Sequence, residues 1–310
     1  MAGVGQSSAA SQRYLGDAFR LPEQCAQVIA QLERFDVHAA GSLLEALGEP
    51  AHHQERWAIV AYVRGLWSLL RGDVHEALSW EARLVAEHAH FNSPDSLGYS
   101  LITAVQVDLE LAAGSANAAL ARVATVNAAS DPILLVARAR AELLTGNPQA
   151  ALTLVSAIAW SPSVYPRVRI DALLIVAAAQ LAFGQDTEAV TSWRVACALA
   201  ASSGCYLPFV FIDADQRQRL GALSGEAPSA VPAGLAVFSQ SSLPVVRLTA
   251  REAEILRLLD EGMSTKEIST LLYISVNTVK SQLRNLYRKL GVQSREDAVA
   301  EAKRLQLLSE

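Results

Sequence analysis

Across residues 276–290 the apolar positions Val279, Leu283, Leu286 and Leu290 fall at i, i+4, i+7 and i+11, one stripe of a helix. On the opposite side Asn277, Lys280, Ser281, Arg284 and Arg288 keep the same rhythm and include no acid. Capping signals place further helices around this one. Thr249 with Glu252, and Ser264 with Glu267, have the spacing of capping boxes; Ser275 precedes the striped helix, and Ser294 is followed by Asp297. Four helices are predicted, at about 250–260, 265–272, 276–290 and 295–305. Only LYIS separates the second from the third, which leaves room for a tight turn and gives the geometry of a helix-turn-helix.

Upstream a different pattern recurs: LLRGDVHEAL at 69–78, LAAGSANAAL at 111–120, LLTGNPQAAL at 143–152 and LAFGQDTEAV at 181–190. Each reads Leu, two residues, Gly, four residues, Ala, then Leu or Val. Gly72, Gly114, Gly146 and Gly184 lie 42, 32 and 38 residues apart, the repeat length of a solenoid of helical hairpins. Each Gly ends a first helix in a left-handed turn, and the Ala five residues on lets the second helix pack closely. Seven residues before each Gly stand Gly65, Val107, Ala139 and Ala177, where the two helices of a pair cross. Nine residues beyond it stand Val123, Val155 and Trp193, but Glu81 in the first unit. The pattern resembles the tetratricopeptide repeat; an irregular helical bundle punctuated by Gly is the alternative. Residues 21–48 supply a further degenerate hairpin, and YLPFVFIDADQRQRLGAL at 206–223 starts a capping pair that covers the last apolar face. GEAPSAVPAGLAVFSQSSLP at 225–244, with three Pro and two Gly, reads as an interdomain linker. The organisation is therefore all-α: a disordered N-terminus at 1–20, a helical repeat domain at 21–224, a linker at 225–244 and a small domain at 245–310.

Composition agrees with this. Of 310 residues 51% are apolar, enough to form a core in each of two domains, and Ala and Leu dominate over β-branched runs. Cys25, Cys197 and Cys205 are too few and too scattered for a disulfide framework, which fits a reducing, cytoplasmic setting. The most apolar stretch, 170–184, is broken by Asp171 and Gln180 and is too short for a membrane helix, and no secretory leader is visible. Charge is divided unevenly. Residues 242–310 carry eleven Lys and Arg against nine Asp and Glu, while the first 241 carry 15 against 22. From Ile268 to Arg295 there is no acid, but Lys280, Arg284, Arg288, Lys289 and Arg295 are all present. An ordinary surface helix mixes signs, so a one-sign stripe on the second helix of this motif points to phosphates and base edges.

The segments LTAREAEIL, EGMSTKEIS, ISVNTVK, YRKLGV and SREDAV, within residues 248–308, resemble the LuxR-type DNA-binding domain throughout. The resemblance implies a sequence-specific transcriptional regulator that binds double-stranded DNA, with the motif at Thr265–Arg284 and helix 276–290 in the major groove. It implies Lys280, Ser281 and Arg284 toward bases and Thr278 and Lys266 near phosphates; the helix stripe itself sets Arg288 facing outward beside them. Gln282 stands where the family often has His. It also implies a homodimer on an inverted pair of half-sites, paired through a fourth helix whose Ala298, Val299, Ala302 and Leu305 offer a small-residue face; packing of that face on the domain's own helices is the alternative.

Such regulators carry an upstream sensor. No phospho-receiver pattern and no GxxxxGK[ST] is present, and the repeat region resembles the one preceding the DNA-binding domain of large MalT-like regulators, without their ATPase. The concave face of a solenoid is expected to receive a small effector or a partner protein, with RNA polymerase as a further partner. Trp57, Trp67, Trp80, Trp160 and Trp193 belong to the core or line that groove. His52 with His53, and His88 with His90, point different ways on a helix, so neither a metal nor a cofactor is expected. No set of nucleophile, acid and base can be assembled, which argues against an enzyme. The rival readings are a sigma-like promoter-recognition subunit and a repeat scaffold tethered to DNA; the expected location is cytoplasmic, at the nucleoid.

Overall fold

A computed structural model describes residues 20–49, 56–88, 93, 96–124, 131–238, 243, 245–246, 248–305 and 307–308. The expected disorder at 1–20 falls outside these residues except for Arg20, and His52, His53 and His90 also lie outside them. The described regular structure is helical. The front of the chain folds as α1 (20–32), α2 (Val37–Leu47), α3 (Trp57–Arg71), α4 (Val74–Glu87), α5 (Leu97–Ala112), α6 (Ala116–Ala124), α7 (Pro132–Leu144), α8 (Pro148–Ala159), α9 (Pro166–Ala182) and α10 (Asp186–Ser203). A 3₁₀ turn (Leu207–Phe211) and α11 (Ala214–Ser224) follow, then α12 (Ala250–Asp260), α13 (Thr265–Leu271), α14 (Val276–Leu290) and α15 (Arg295–Arg304). No helix among the described residues is long and apolar enough to cross a membrane.

The four Gly-centred repeats are four helix hairpins, α3–α4, α5–α6, α7–α8 and α9–α10, and the first helices α3, α5, α7 and α9 stack on one another. Gly72, Gly114, Gly146 and Gly184 all take φ between +71° and +82°, where a side chain would be strained, and each second helix begins two residues later. The crossing positions Gly65, Val107, Ala139 and Ala177, and the facing Ala77, Ala119, Ala151 and Ala189, are all buried. At Gly65 the approach is closest: a Cβ there would meet Val105 Cγ2 at 2.6 Å and Glu81 Oε1 at 2.7 Å.

A two-layer solenoid leaves the inner wall of its first helices in solvent. Here α5 is buried without interruption from Ile102 to Leu111, and α9 from Ala172 to Ala179, so these helices have neighbours on every side. The third layer comes from the chain itself. Cys25, Val28 and Leu32 of α1 share a core with Leu207, Val210, Phe211 and Phe238. Glu33 accepts from Arg167 Nη1 of α9 at 2.8 Å and from the Leu207 N–H at 2.6 Å, closing the front of the domain onto its back.

Across that wall runs a rung of charge. Arg140 of α7 donates to Asp108 Oδ1 of α5 and to Asp171 Oδ1 of α9, both at 2.6 Å, and the Phe211 ring lies 4.7 Å from its guanidinium carbon. Burial pushes the Asp108 carboxyl up to about 6 in spite of Arg140.

The Pro-rich stretch read as an interdomain linker is docked on the repeat domain over much of its described length. Trp193 Nε1 donates to the Glu226 carbonyl at 2.9 Å, Arg217 Nη2 to Leu235 O at 2.7 Å, Val237 N to Val210 O at 2.7 Å, and Leu243 N to Leu144 O at 2.6 Å. Phe238 packs edge-on to Phe211. Of the tryptophans, Trp57 and Trp193 are core residues, Trp67 donates to Val37 O and Trp160 is exposed. His88 is stacked on Trp57, 5.0 Å between ring centres.

Glu81 occupies the place that Val123, Val155 and Trp193 hold in the other hairpins. It is 1% exposed, and neither carboxyl oxygen has a hydrogen-bond partner among the described residues. Burial drives its pKa well above the usual carboxylate value, opposed by Arg122 and reinforced by Glu110. A carboxyl whose folded pKa is raised contributes stability that is complete below about 4.5 and is lost as pH rises. Glu81→Val is therefore expected to raise the melting temperature at neutral pH, by about 1–3 kcal/mol in stability, with the gain growing as pH rises. Melting curves that show a pH-independent difference would contradict this account.

Candidate nucleic-acid interface

Helices α12 to α15 enclose their own core, formed by Ile255, Leu256, Leu258, Leu259, Ile268, Val279, Leu283, Leu286, Leu290, Ala298, Ala302 and Leu305. The helix boundaries follow the caps. Thr249 and Ser264 complete reciprocal capping boxes with Glu252 and Glu267, and Ser275 accepts from Thr278 N at the head of α14. Gly291, at φ +70°, ends α14, whose last turn carries Arg288 and Lys289 where the helix dipole favours cations. Between α13 and α14 the chain turns through Tyr273, a non-glycine residue at φ +52°.

The apolar stripe of α14 faces the core and the opposite stripe faces solvent. Asn277, Thr278, Lys280, Ser281, Arg284 and Arg288 are all exposed, as is Lys266 in the first turn of α13. Lys280, Ser281 and Arg284 have no side-chain hydrogen bond or ion pair among the described residues, so these donors are open to a ligand. Thr278 shares a 2.8 Å hydrogen bond with the Ser275 hydroxyl, and Arg288 donates to Asn285 Oδ1 at 3.1 Å. Gln282 is half-buried at the edge of the stripe.

Two of the five cations in the acid-free stretch serve the fold instead. Lys289 Nζ lies 2.6 Å from Glu252 Oε2, tying the end of α14 to the start of α12. Glu252 also accepts from the Thr249 N–H and hydroxyl. Burial opposes its charge, but these hydrogen bonds and the Lys289 ammonium hold its carboxyl below the usual carboxylate range. Arg295 donates to the carbonyls of Met263 and Leu259, at 2.7 and 2.6 Å, and Arg251 to that of Leu272 at 2.9 Å. Sequence counts charge but does not show partners tens of residues away, and so Lys289 and Arg295 read as part of the surface.

Sequence reading also passed over Tyr273, which is 95% exposed beside the head of α14. Its signal was its place in a four-residue turn, where a large ring has no room inside. On α15, Ala298 and Ala302 are 0% exposed and Leu305 is buried with them in the domain core, leaving Val299 half-buried. The small-residue face is thus covered by the domain's own helices.

Residues 246–302 match the family described as bacterial regulatory proteins, luxR family. Over 83 residues the chain is 43% identical to the probable transcriptional regulatory protein NarL of Mycobacterium tuberculosis, a match covering 26% of this chain and 38% of NarL. Over 58 residues it is 47% identical to the HTH-type transcriptional regulator MalT of Yersinia enterocolitica, covering 19% of this chain and 6% of MalT. The chain thus spans well under half the length of either relative. No solved structure matched. Capped helices, a tight turn, an outward cationic stripe and the family match coincide on one stretch: residues 246–302 are a LuxR-type helix-turn-helix DNA-binding domain.

Proposed function

We propose that the protein is a sequence-specific transcriptional regulator in which α14 enters the major groove. Lys280, Ser281 and Arg284 reach base edges, while Lys266, Thr278 and Arg288 hold the phosphates that fix the docking register. The observation that carries this reading is the exposed, acid-free stripe on α14, without an ion pair among the described residues and set in a chain whose remainder is acidic. The tetratricopeptide-like repeat domain serves as the sensor, receiving a small effector or a partner protein, and the regulator works with RNA polymerase in the cytoplasm. On DNA it acts as a homodimer. With Ala298, Ala302 and Leu305 inside the domain, pairing across α15 draws on Val299 and the outward Ala300. The burial of α15 in the domain core supports this reading over the sigma-like one, in which little chain follows the recognition helix.

Selection of bound fragments from random-sequence DNA by the full-length chain tests the reading. The expected outcome is enrichment of an inverted repeat, with half-site centres about 10 base pairs or a multiple apart. A bound pool without sequence enrichment would overturn it.

A further inference from the structure

Residues 226–238 lie between the repeat domain and the DNA-binding domain and are held by a small number of contacts. Phe238 is their one buried residue, at 2% exposure; Val231, Leu235, Ala236 and Val237 are half-buried, and most of the others face solvent. No helix or strand is formed; the backbone closes only the short turns Val231 N to Pro228 O and Leu235 N to Pro232 O. Its attachments to the repeat domain are pins: Trp193 on Glu226 O, Arg217 on Leu235 O, Val237 N on Val210 O, and just beyond it Leu243 N on Leu144 O. Segments with few buried contacts and few regular hydrogen bonds open at lower free energy than the core they lie on.

Beneath the segment lies the 3₁₀ turn, which itself covers the solenoid wall. Phe238 sits on Phe211 at 5.9 Å, and Phe211 sits over Arg140, which holds Asp108 and Asp171. Lifting Phe238 uncovers that aromatic surface. It also lengthens the connection to α12, which begins seven residues beyond Leu243.

We propose that residues 226–238 are a releasable strap: docked, they cover the Phe211 surface and keep the acidic repeat domain close to DNA held by α14; released together with the Leu243 contact, they let it move away. The proposal rests on the DNA-binding reading above. Thirteen freed residues add roughly 20 Å of root-mean-square reach, more than twice the Debye length of about 8 Å at physiological salt. The first 241 residues carry 22 acids against 15 bases, so docking weakens DNA binding by repulsion and release strengthens it. A ligand that binds the uncovered aromatic surface is linked to the same equilibrium, because it binds the released state alone.

The test compares the full-length chain with Phe238→Ala, which removes the anchor, and with Val237→Pro, which removes the Val237 N–H and leaves the ring in place. Hydrogen exchange at Leu243 is expected to accelerate at least about tenfold in both variants, while amides of α5, α7 and α9 keep wild-type protection. Equal acceleration in those helices would show that the segment is part of the core and overturn the proposal. In about 50 mM salt both variants are expected to bind the selected DNA roughly three- to tenfold more tightly than wild type, with the gap narrowing by about 200 mM. Equal affinities at the lower salt overturn the strap's role while leaving the DNA-binding reading intact. Absence of sequence-specific binding in all three chains overturns the DNA-binding reading, and the strap's effect on it falls with it.

Discussion

Replacing Lys280 and Arg284 together by alanine is expected to remove sequence-specific DNA binding, weakening the selected site by about a hundredfold or more. On the proposed docking, a Lys or Arg set on a guanine edge contributes roughly 1–3 kcal/mol of discrimination. Both are exposed on α14 and neither enters the core formed by Val279, Leu283, Leu286 and Leu290, so the melting temperature should stay close to wild type. Lys266→Ala provides the contrast. On the proposed docking, in which its ammonium meets a phosphate at the head of α13, removing it is expected to weaken specific and non-specific DNA alike and to lower the log–log salt slope by about 0.9. Titrations of the two variants against selected and scrambled sites, at several salt concentrations, separate the roles. A double variant that keeps wild-type affinity for the selected site at moderate salt would remove α14 as the reading helix.

The DNA-binding domain was the most legible part of the chain, because its instructions are local. Thr249, Ser264, Ser275 and Ser294 sit three residues from their capping partners, and the four predicted helices agree with those observed to within one residue at each end. The hairpin turns were legible for the same reason: a Gly at positive φ with an Ala five residues on is a signal within one turn of chain. What escaped was each feature that depends on distant partners. Residues 225–244 have the composition of a tether, and nothing in their own sequence reports that Trp193 and Arg217 donate to their carbonyls. Lys289 and Arg295 looked like surface charge until Glu252 and the carbonyls of Leu259 and Met263 were seen beside them. The covering of the inner wall escaped at the same level, since the third layer comes from both ends of the repeat region, α1 and residues 206–238.

The charged rung lies between these cases. Asp108 and Arg140 stand six residues before Gly114 and Gly146, in the same register of successive hairpins, so their pairing follows from the repeat, although their burial does not. That burial makes substitution of Arg140 costly. Arg140→Met leaves Asp108 and Asp171 against an apolar wall without their hydrogen-bonded counter-charge, Arg167 being the cation that remains near them, a loss of about 3–5 kcal/mol near neutral pH. The pH dependence carries the diagnosis. In the wild type the Asp108 carboxyl is already raised from 3.8 to about 6, so its contribution to stability is complete below 3.8 and is lost as pH rises through about 6. Without Arg140 the carboxyl is raised further. The variant's deficit should therefore shrink toward acid pH, where Asp108 binds a proton in the folded state, and widen through neutrality. Adding Asp108→Leu and Asp171→Leu to Arg140→Met replaces the whole network by apolar groups and is expected to recover most of the loss and flatten its pH profile. Urea unfolding of the single and triple variants, followed across that range, measures both effects. A deficit in the single variant that is constant with pH would assign the cost to lost packing of Arg140 against Phe211 instead of to the stranded carboxylates.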